Sequence, residues 1–409
     1  MSKTLVLWLS HSAALGCAIF LLVGRWSPQR LGGPFKELSF LPELRVIALF
    51  GLFIILAIAV TQGQIKKSSN VFPKLLAAFL SWACLSYFWS INQEAAALKI
   101  ADLVLLSAFM ICFYQFSFRF NRRNFIPLFA KYYTTLLAIL CFCAAVFLDY
   151  STLESTGFEN RKIFALGSGP NVFGRNMSLL AIACLLSLNH TKHTILPILF
   201  AGIPVTLVLL SGSRGALFEL LSALAITLFF LRRHLLLRVA IPLLLLLPLA
   251  SNFIVGGDNS IAKTVIDVQY NRLITHTIDN FHDSSRTELL TEACRLGAEH
   301  PIIGAGLGGY KYIHNEETTL HYPHNLVAES WAELGTVGLI LILILGGCFA
   351  RSYIPRLKST WGVISAGVIT SGIFSMLSGD LYDARALFCF ALAWSLLYNA
   401  PQDEANTRT

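Results

Sequence analysis

Twelve long apolar runs leave this chain few places to fold other than a lipid bilayer. They cover about 4–24, 43–61, 72–90, 95–116, 127–149, 172–189, 194–211, 214–231, 235–254, 324–350, 359–378 and 383–399. A helix needs about 20 mostly apolar residues to cross the hydrocarbon core. Barrel strands are shorter and alternate apolar with polar side chains. These runs are Leu-rich and continuous, so they predict helices. Composition agrees: 55% of residues are hydrophobic and 13% charged, against about 25% charge in a soluble domain. The expected fold is an all-α polytopic membrane protein with about 12 transmembrane helices. The first run follows Lys3, as in a signal peptide, but it is longer than a signal core. Gly24-Arg25-Trp26-Ser27 is not a small-x-small cleavage site, so the run reads as a retained helix.

Lys and Arg in the short loops set the orientation. With a cytoplasmic N-terminus, the internal loops hold Lys66 and Lys67; Arg119, Arg122 and Arg123; Lys192; Arg232, Arg233 and Arg238; and Arg351, Arg356 and Lys358. The opposite short loops at 91–94, 212–213 and 379–382 hold none, although the first external loop carries Arg25, Arg30 and Lys36. Both termini are therefore expected inside. The chain divides into helices one to nine over 1–255, a large external segment over 256–323, helices ten to twelve over 324–399 and a short polar tail over 400–409.

The net charge of +8 is no nucleic-acid signal, because no basic stripe with interleaved aromatics lies on a soluble domain. Part of it is the internal bias. The rest is external, at Arg161, Lys162, Arg175, Arg214, Lys263, Arg272, Arg286, Arg295, Lys311 and Arg385. Cations on the side where the orientation rule disfavours them point to an anionic ligand. Of nine cysteines, eight lie in the apolar runs and Cys294 is external. There is no CxxC and no external pair, so neither a redox motif nor a zinc site is indicated.

The external segment has its own pattern. Residues 261–277 form a rough helical face, and Ser285 with Glu288 fits a capping box ahead of a second amphipathic helix that Pro301 ends. Gly304-Ala305-Gly306-Leu307-Gly308-Gly309 follows a helix, not a strand, so dinucleotide and P-loop readings fail on context; a flexible turn or lid is the expectation. His324-Asn325 then opens a membrane helix, with Pro323 suited to its start. A neutral imidazole at that interface can act as a base, or can merely hydrogen-bond. Glu333 lies deeper in the same run, where an ionisable group is paired or functional.

Ser211-Gly212-Ser213-Arg214-Gly215-Ala216 is a tight external turn. The guanidinium of Arg214 can hold phosphate through two parallel hydrogen bonds, or can reach out to lipid headgroups. Arg286 has the same choice between an anion and water. Arg161, Lys162 and Arg175 form a second basic patch. Asp380 and Asp383 share the last external turn with Arg385, as substrate groups or as a structural ion pair. His321 and His324 are two metal ligands without an obvious third, so no metal site is expected.

Ser285-Arg286-Thr287, then His300-Pro301-Ile302-Ile303-Gly304-Ala305-Gly306-Leu307, then His324-Asn325 and Glu333-Leu334-Gly335-Thr336-Val337-Gly338-Leu339 resemble the O-antigen ligase and O-antigen polymerase family. So does the Ser211–Ala216 turn. The short motifs cover roughly 205–340, and the spans with a late external loop extend the resemblance over the chain. It implies a GT-C-type glycosyltransferase of the bacterial inner membrane, with a large periplasmic helical loop and no metal or other cofactor. The donor would be O-antigen on undecaprenyl diphosphate, and the acceptor lipid A–core oligosaccharide. Carried over by motif, Arg214 and Arg286 would hold the diphosphate and His324 would activate the acceptor hydroxyl. Arg161, Arg175 and Asp383 match less distinct substrate-binding positions. A polymerase and a protein O-oligosaccharyltransferase are family alternatives. A polytopic transporter is the alternative of another class, disfavoured because the polar residues gather at one face and not at the midplane. A scaffold would not need these Arg and His residues to converge. Membrane lipids are the expected surroundings, nucleic acid is not a partner, and oligomeric state is left open.

Overall fold

The computed structural model describes residues 3–23, 43–60, 70–147, 170–187, 195–211, 213–230, 285–314, 318–320, 322–353 and 362–398. Its helices are α1 (Lys3–Val23), α2 (Leu44–Val60), α3 (Val71–Leu85), α4 (Gln93–Arg119), α5 (Arg122–Phe147), α6 (Pro170–Ser187), α7 (Ile195–Leu210), α8 (Arg214–Phe230), α9 (Ser285–Glu299), α10 (Leu326–Tyr353), α11 (Gly362–Leu377) and α12 (Arg385–Tyr398). A 3₁₀ turn, Ser86–Trp89, extends α3. Five of these are long and apolar enough to cross a membrane: Lys3–Val23, Val71–Trp89, Gln93–Arg119, Arg122–Val146 and Leu326–Tyr353. The other apolar helices are shorter, at 10–17 residues. The expected span at 235–254 and the helix at 261–277 lie outside the described residues.

The helical class holds, with one short exception: Tyr312–His314 (β1) and Thr318–Leu320 (β2) pair antiparallel. The helix expected to open at Pro323 starts instead at Leu326. Asn325 caps it, its Oδ1 accepting from the Val327 and Ala328 amides at 3.0 Å each. The side chain satisfies two N–H groups that a helix start leaves unpaired.

Some helix contacts are built from aromatic rings and others from small residues. Phe20 stacks on Phe109 with centroids 4.3 Å apart, and Phe113 meets Phe129 edge-on at 5.0 Å. Trp394 of α12 is enclosed between Tyr353 and Tyr398. Where α6 approaches α8, any Cβ on Gly174 would overlap Ala216; small residues let membrane helices come this close. Large apolar side chains point outward, Phe229 at 81% exposure and Phe88 at 77%. Water penalises that arrangement and lipid does not.

Asn92 caps α4 through the Ala95 amide and Ser213 caps α8 through the Ala216 amide. With Asn325 on α10 and the Asp380–Ala384 turn before α12, these N-termini gather at one end of the bundle. Each carries the positive end of a helix dipole, so that end is prepared for anions before any cationic side chain is counted.

Candidate active site

His324 sits two residues before α10 with φ +56°. The left-handed region costs a residue with a Cβ about 1–2 kcal/mol, so its surroundings must hold it there. The ring of Tyr322 stands edge-on to the imidazole, centroids 4.7 Å apart, and Asn325 ties the next residue to α11 through Met376 O at 3.1 Å. The His324 Nδ1 is buried and has no hydrogen-bond partner among the described residues. Burial first, and then the charge of Arg286, hold the imidazole pKa below its ordinary value; Asp383 and Asp380 pull the other way. The ring is neutral at neutral pH and can accept a proton.

Arg286 reaches the site from the second residue of α9. That helix is fixed by a small core of its own, in which Leu289, Ala293 and Leu296 pack on Ala305, Tyr310 and Ala332. Tyr310 donates its hydroxyl to Leu289 O at 3.0 Å. Gly297 lies against the indole of Trp331, where a Cβ would come to 2.8 Å. So held, the Arg286 Nη2 rests over Gly215, 3.3 Å from where a Cβ would stand. Arg214 is the first residue of α8 and is exposed. Burial and the neighbouring charge of Arg214 hold the Arg286 pKa below its ordinary value. Like charges held together store repulsion that an anion relieves. No acid pairs with either arginine among the described residues.

Arg175 and Asp383 lie one layer below. Arg175 is 3% exposed, donates from Nη1 to Asp383 O at 3.2 Å and lies over the Phe374 ring at 4.3 Å. The Asp383 carboxylate pairs with Arg385 Nη1 at 3.1 Å, and its amide donates to Asp380 Oδ1 at 2.9 Å. The Asp383–Arg385 ion pair that the sequence offered is present. Arg175 and Asp383 both brace the turn whose charge reaches His324. Arg161 lies outside the described residues.

The glycine-rich turn is not a lid. α10 is interrupted at Gly335, with φ +66° and ψ −165°, and the turn fills the break. Ala305 N donates to Ala332 O and Gly306 N to Glu333 O, both at 2.9 Å; Trp82 Nε1 takes Leu334 O at 3.0 Å. On its other side the turn meets α3 and α4 closely: a Cβ on Gly308 would stand 2.7 Å from Ala96 N, and Ser90 Oγ donates to Leu307 O at 2.7 Å. Its φ values of +75°, +82° and +71° at Gly304, Gly306 and Gly308 need glycine. The turn is a packed wedge in the break of the helix that follows His324.

Residues 199–343 match the family model described as O-antigen ligase. Over this stretch, about a third of its length, the chain is similar to the O-antigen ligase family. The matched stretch includes Arg214, Arg286, His324 and Glu333, and leaves out Arg161, Arg175 and Asp383. No curated protein matches the chain. The family together with the apolar helices marks a multi-pass membrane protein of O-antigen ligase or polymerase type.

One feature escaped the sequence reading. Lys99 Nζ lies 2.8 Å from Glu329 Oε1 and 2.6 Å from Glu333 Oε1, with both carboxylate side chains 2% exposed. Glu333 Oε1 also accepts from the Tyr310 amide at 3.4 Å. The cluster locks α4, the first segment of α10 and the wedge together beneath His324. Its signal was a lone Lys early in one apolar run and two Glu four apart in another, a spacing that puts both on one helix face. Glu333 stands out in the sequence by its depth in the apolar run, and Lys99 and Glu329 do not.

Proposed function

We infer that the chain is an O-antigen ligase. It would transfer O-antigen polysaccharide from undecaprenyl diphosphate to lipid A–core oligosaccharide at the periplasmic face of the bacterial inner membrane. The observation that supports this most is the meeting of Arg286 with the Arg214–Gly215 turn, within electrostatic reach of His324, whose Nδ1 has no hydrogen-bond partner among the described residues. That meeting lies at one end of an apolar bundle, where helix N-termini converge.

The chemistry follows from what each group can do. A sugar hydroxyl is a poor nucleophile until a positioned base takes its proton during attack. As the acceptor oxygen bonds to the anomeric carbon, its proton moves to the His324 imidazole. The bond from that carbon to the diphosphate oxygen breaks, and the diphosphate leaves with the electron pair. Diphosphate is a good leaving group, so it needs charge stabilisation more than protonation. Two guanidiniums fixed where that charge grows supply it. A single displacement inverts the anomeric centre. We read the reaction as metal-independent, the arginines taking the part a divalent ion has elsewhere. A GT-C-type architecture, with aliphatic surface between helices for the polyprenyl tail, accords with this reading.

The test is transfer in vitro with purified protein, O-antigen on undecaprenyl diphosphate, and two acceptors in parallel. Product on lipid A–core supports a ligase. Elongation of a lipid-linked repeat unit alone would make it a polymerase. No product on either, with intact donor, would move the reading to a protein acceptor or out of transfer chemistry. Activity should survive EDTA; loss restored by one divalent ion would overturn metal independence.

A further inference from the structure

A cavity of about 320 Å³ opens between α3 and α4 at the end of the bundle away from His324. Helix ends fix its place. Asn70, which caps α3, donates to Ser395 O near the end of α12, and Arg119 near the end of α4 donates to Ala59 O near the end of α2. Lys99 and Arg385 belong to the opposite ends of α4 and α12. The cavity walls are aliphatic, from Leu76, Leu80, Met110 and Ile111, while Lys74 and Gln115 also line it. Lys74 is the fourth residue of α3 and Gln115 the fifth from last of α4, so the two stand at one height on antiparallel neighbours. Seven residues from Lys74 to Ser81 make the groove about 10 Å deep, less than one leaflet of a hydrocarbon core about 30 Å thick.

We propose that this groove is a binding site for an anionic glycerophospholipid with a hydroxylated head group, one acyl chain lying between α3 and α4. Two observations select that occupant over an apolar one. Lys74 is exposed, no acid lines the groove, and none pairs with Lys74 among the described residues, so a phosphate has a cation waiting. Gln115 Oε1 is a buried acceptor with no hydrogen-bond partner among the described residues, and such a group costs stability until a donor reaches it. A head-group hydroxyl supplies the donor and the phosphate answers the lysine. Arg119, Arg122 and Arg123 at the same end add the field that gathers anionic lipid. The proposal is independent of the transferase reading, because no residue of the groove belongs to that site.

The experiment is native mass spectrometry of the full-length protein titrated with phosphatidylglycerol, and separately with phosphatidylcholine of the same acyl chains. Phosphatidylcholine carries the phosphate but no head-group donor and no net charge. Phosphatidylglycerol should be retained about five- to tenfold better, the effect of one neutral head-group hydrogen bond together with its net negative charge. Lys74→Ala and Gln115→Leu should each remove part of that preference and the double variant most of it, and Lys74→Arg should keep it. Ala77→Phe should fill the groove and abolish retention of both lipids. Lys74 is exposed, so its replacement leaves the fold intact and keeps the test decisive even if Ala77→Phe misfolds. Equal retention of the two lipids, or a preference untouched by Lys74→Ala and Gln115→Leu, overturns the proposal. Displacement of phosphatidylglycerol by a polyprenyl phosphate that is itself lost in Ala77→Phe would overturn it too, making the groove an isoprenoid site.

Discussion

Replacing Lys99 with Met keeps the aliphatic stem and removes the charge that joins two helices. Lys99 lies 2.8 Å from Glu329 and 2.6 Å from Glu333, and its side chain is 12% exposed. Removing one partner of a buried ion pair costs about 3–5 kcal/mol, because the other charge stays buried without compensation. Here one lysine serves two carboxylates, which places the loss near the upper end, about 5 kcal/mol. That is more than a thousandfold in the folding equilibrium, at about 1.4 kcal/mol per factor of ten. The damage should concentrate at the wedge, since Glu333 also holds the Tyr310 amide. Chemical unfolding in one fixed detergent, followed by tryptophan fluorescence, measures the loss. The triple variant Lys99→Met, Glu329→Gln, Glu333→Gln removes every charge at nearly constant volume and should recover most of it. A single variant within about 1 kcal/mol of the parent, well below the range for a broken buried pair, would refute the reasoning. So would a triple variant no more stable than the single.

His324→Ala should lower the transfer rate by about 10²–10⁴, the usual contribution of a positioned base, with donor binding preserved; near-normal turnover removes the assignment. In the parent, the rate should rise with pH through a value below about 6.5 and then level off, because the imidazole pKa is lowered and its neutral form is the active one. Arg286→Gln removes one of the charges that lowers it, so the acid limb of the residual activity should move to higher pH; an unmoved limb argues against His324 as the titrating group. Arg214→Ala and Arg286→Ala should weaken handling of the diphosphate, with Lys rescuing only in part because it lacks the planar fork; wild-type kinetics in either would end that role. Gly335→Ala should prevent stable folding, since a Cβ there would overlap Ile302 and Gly304 at a positive φ, whereas Gly346→Ala, which meets nothing, should be neutral or gain about 0.5–1 kcal/mol. Size-exclusion profiles and melting temperatures separate the two.

Most of the membrane helices could be read directly, because apolar length is a local property and lipid leaves the backbone few alternatives. The same is true of Arg214, Arg286 and His324 as candidates, since each is a charged or titratable group beside glycine or a cap at a run's edge. What those residues face could not be read. Lys99 meets Glu329 across 230 positions of sequence, and that contact depends on the register of packed helices. The glycine-rich turn reads as loose from composition, yet it is rigid because α10 breaks at Gly335 and offers carbonyls that the turn's amides complete. Arg175 reads as an external cation, and its burial at 3% exposure, beside the close approach of α6 to α8 at Gly174, is not visible in its sequence neighbours. The sequence by itself determined which segments are apolar enough to form the helices and which polar residues stand at their ends as candidates. Only the tertiary structure decided which charges satisfy one another and which are left to meet a substrate, because pairing is settled by helix register and close packing, and neither is written in any one segment.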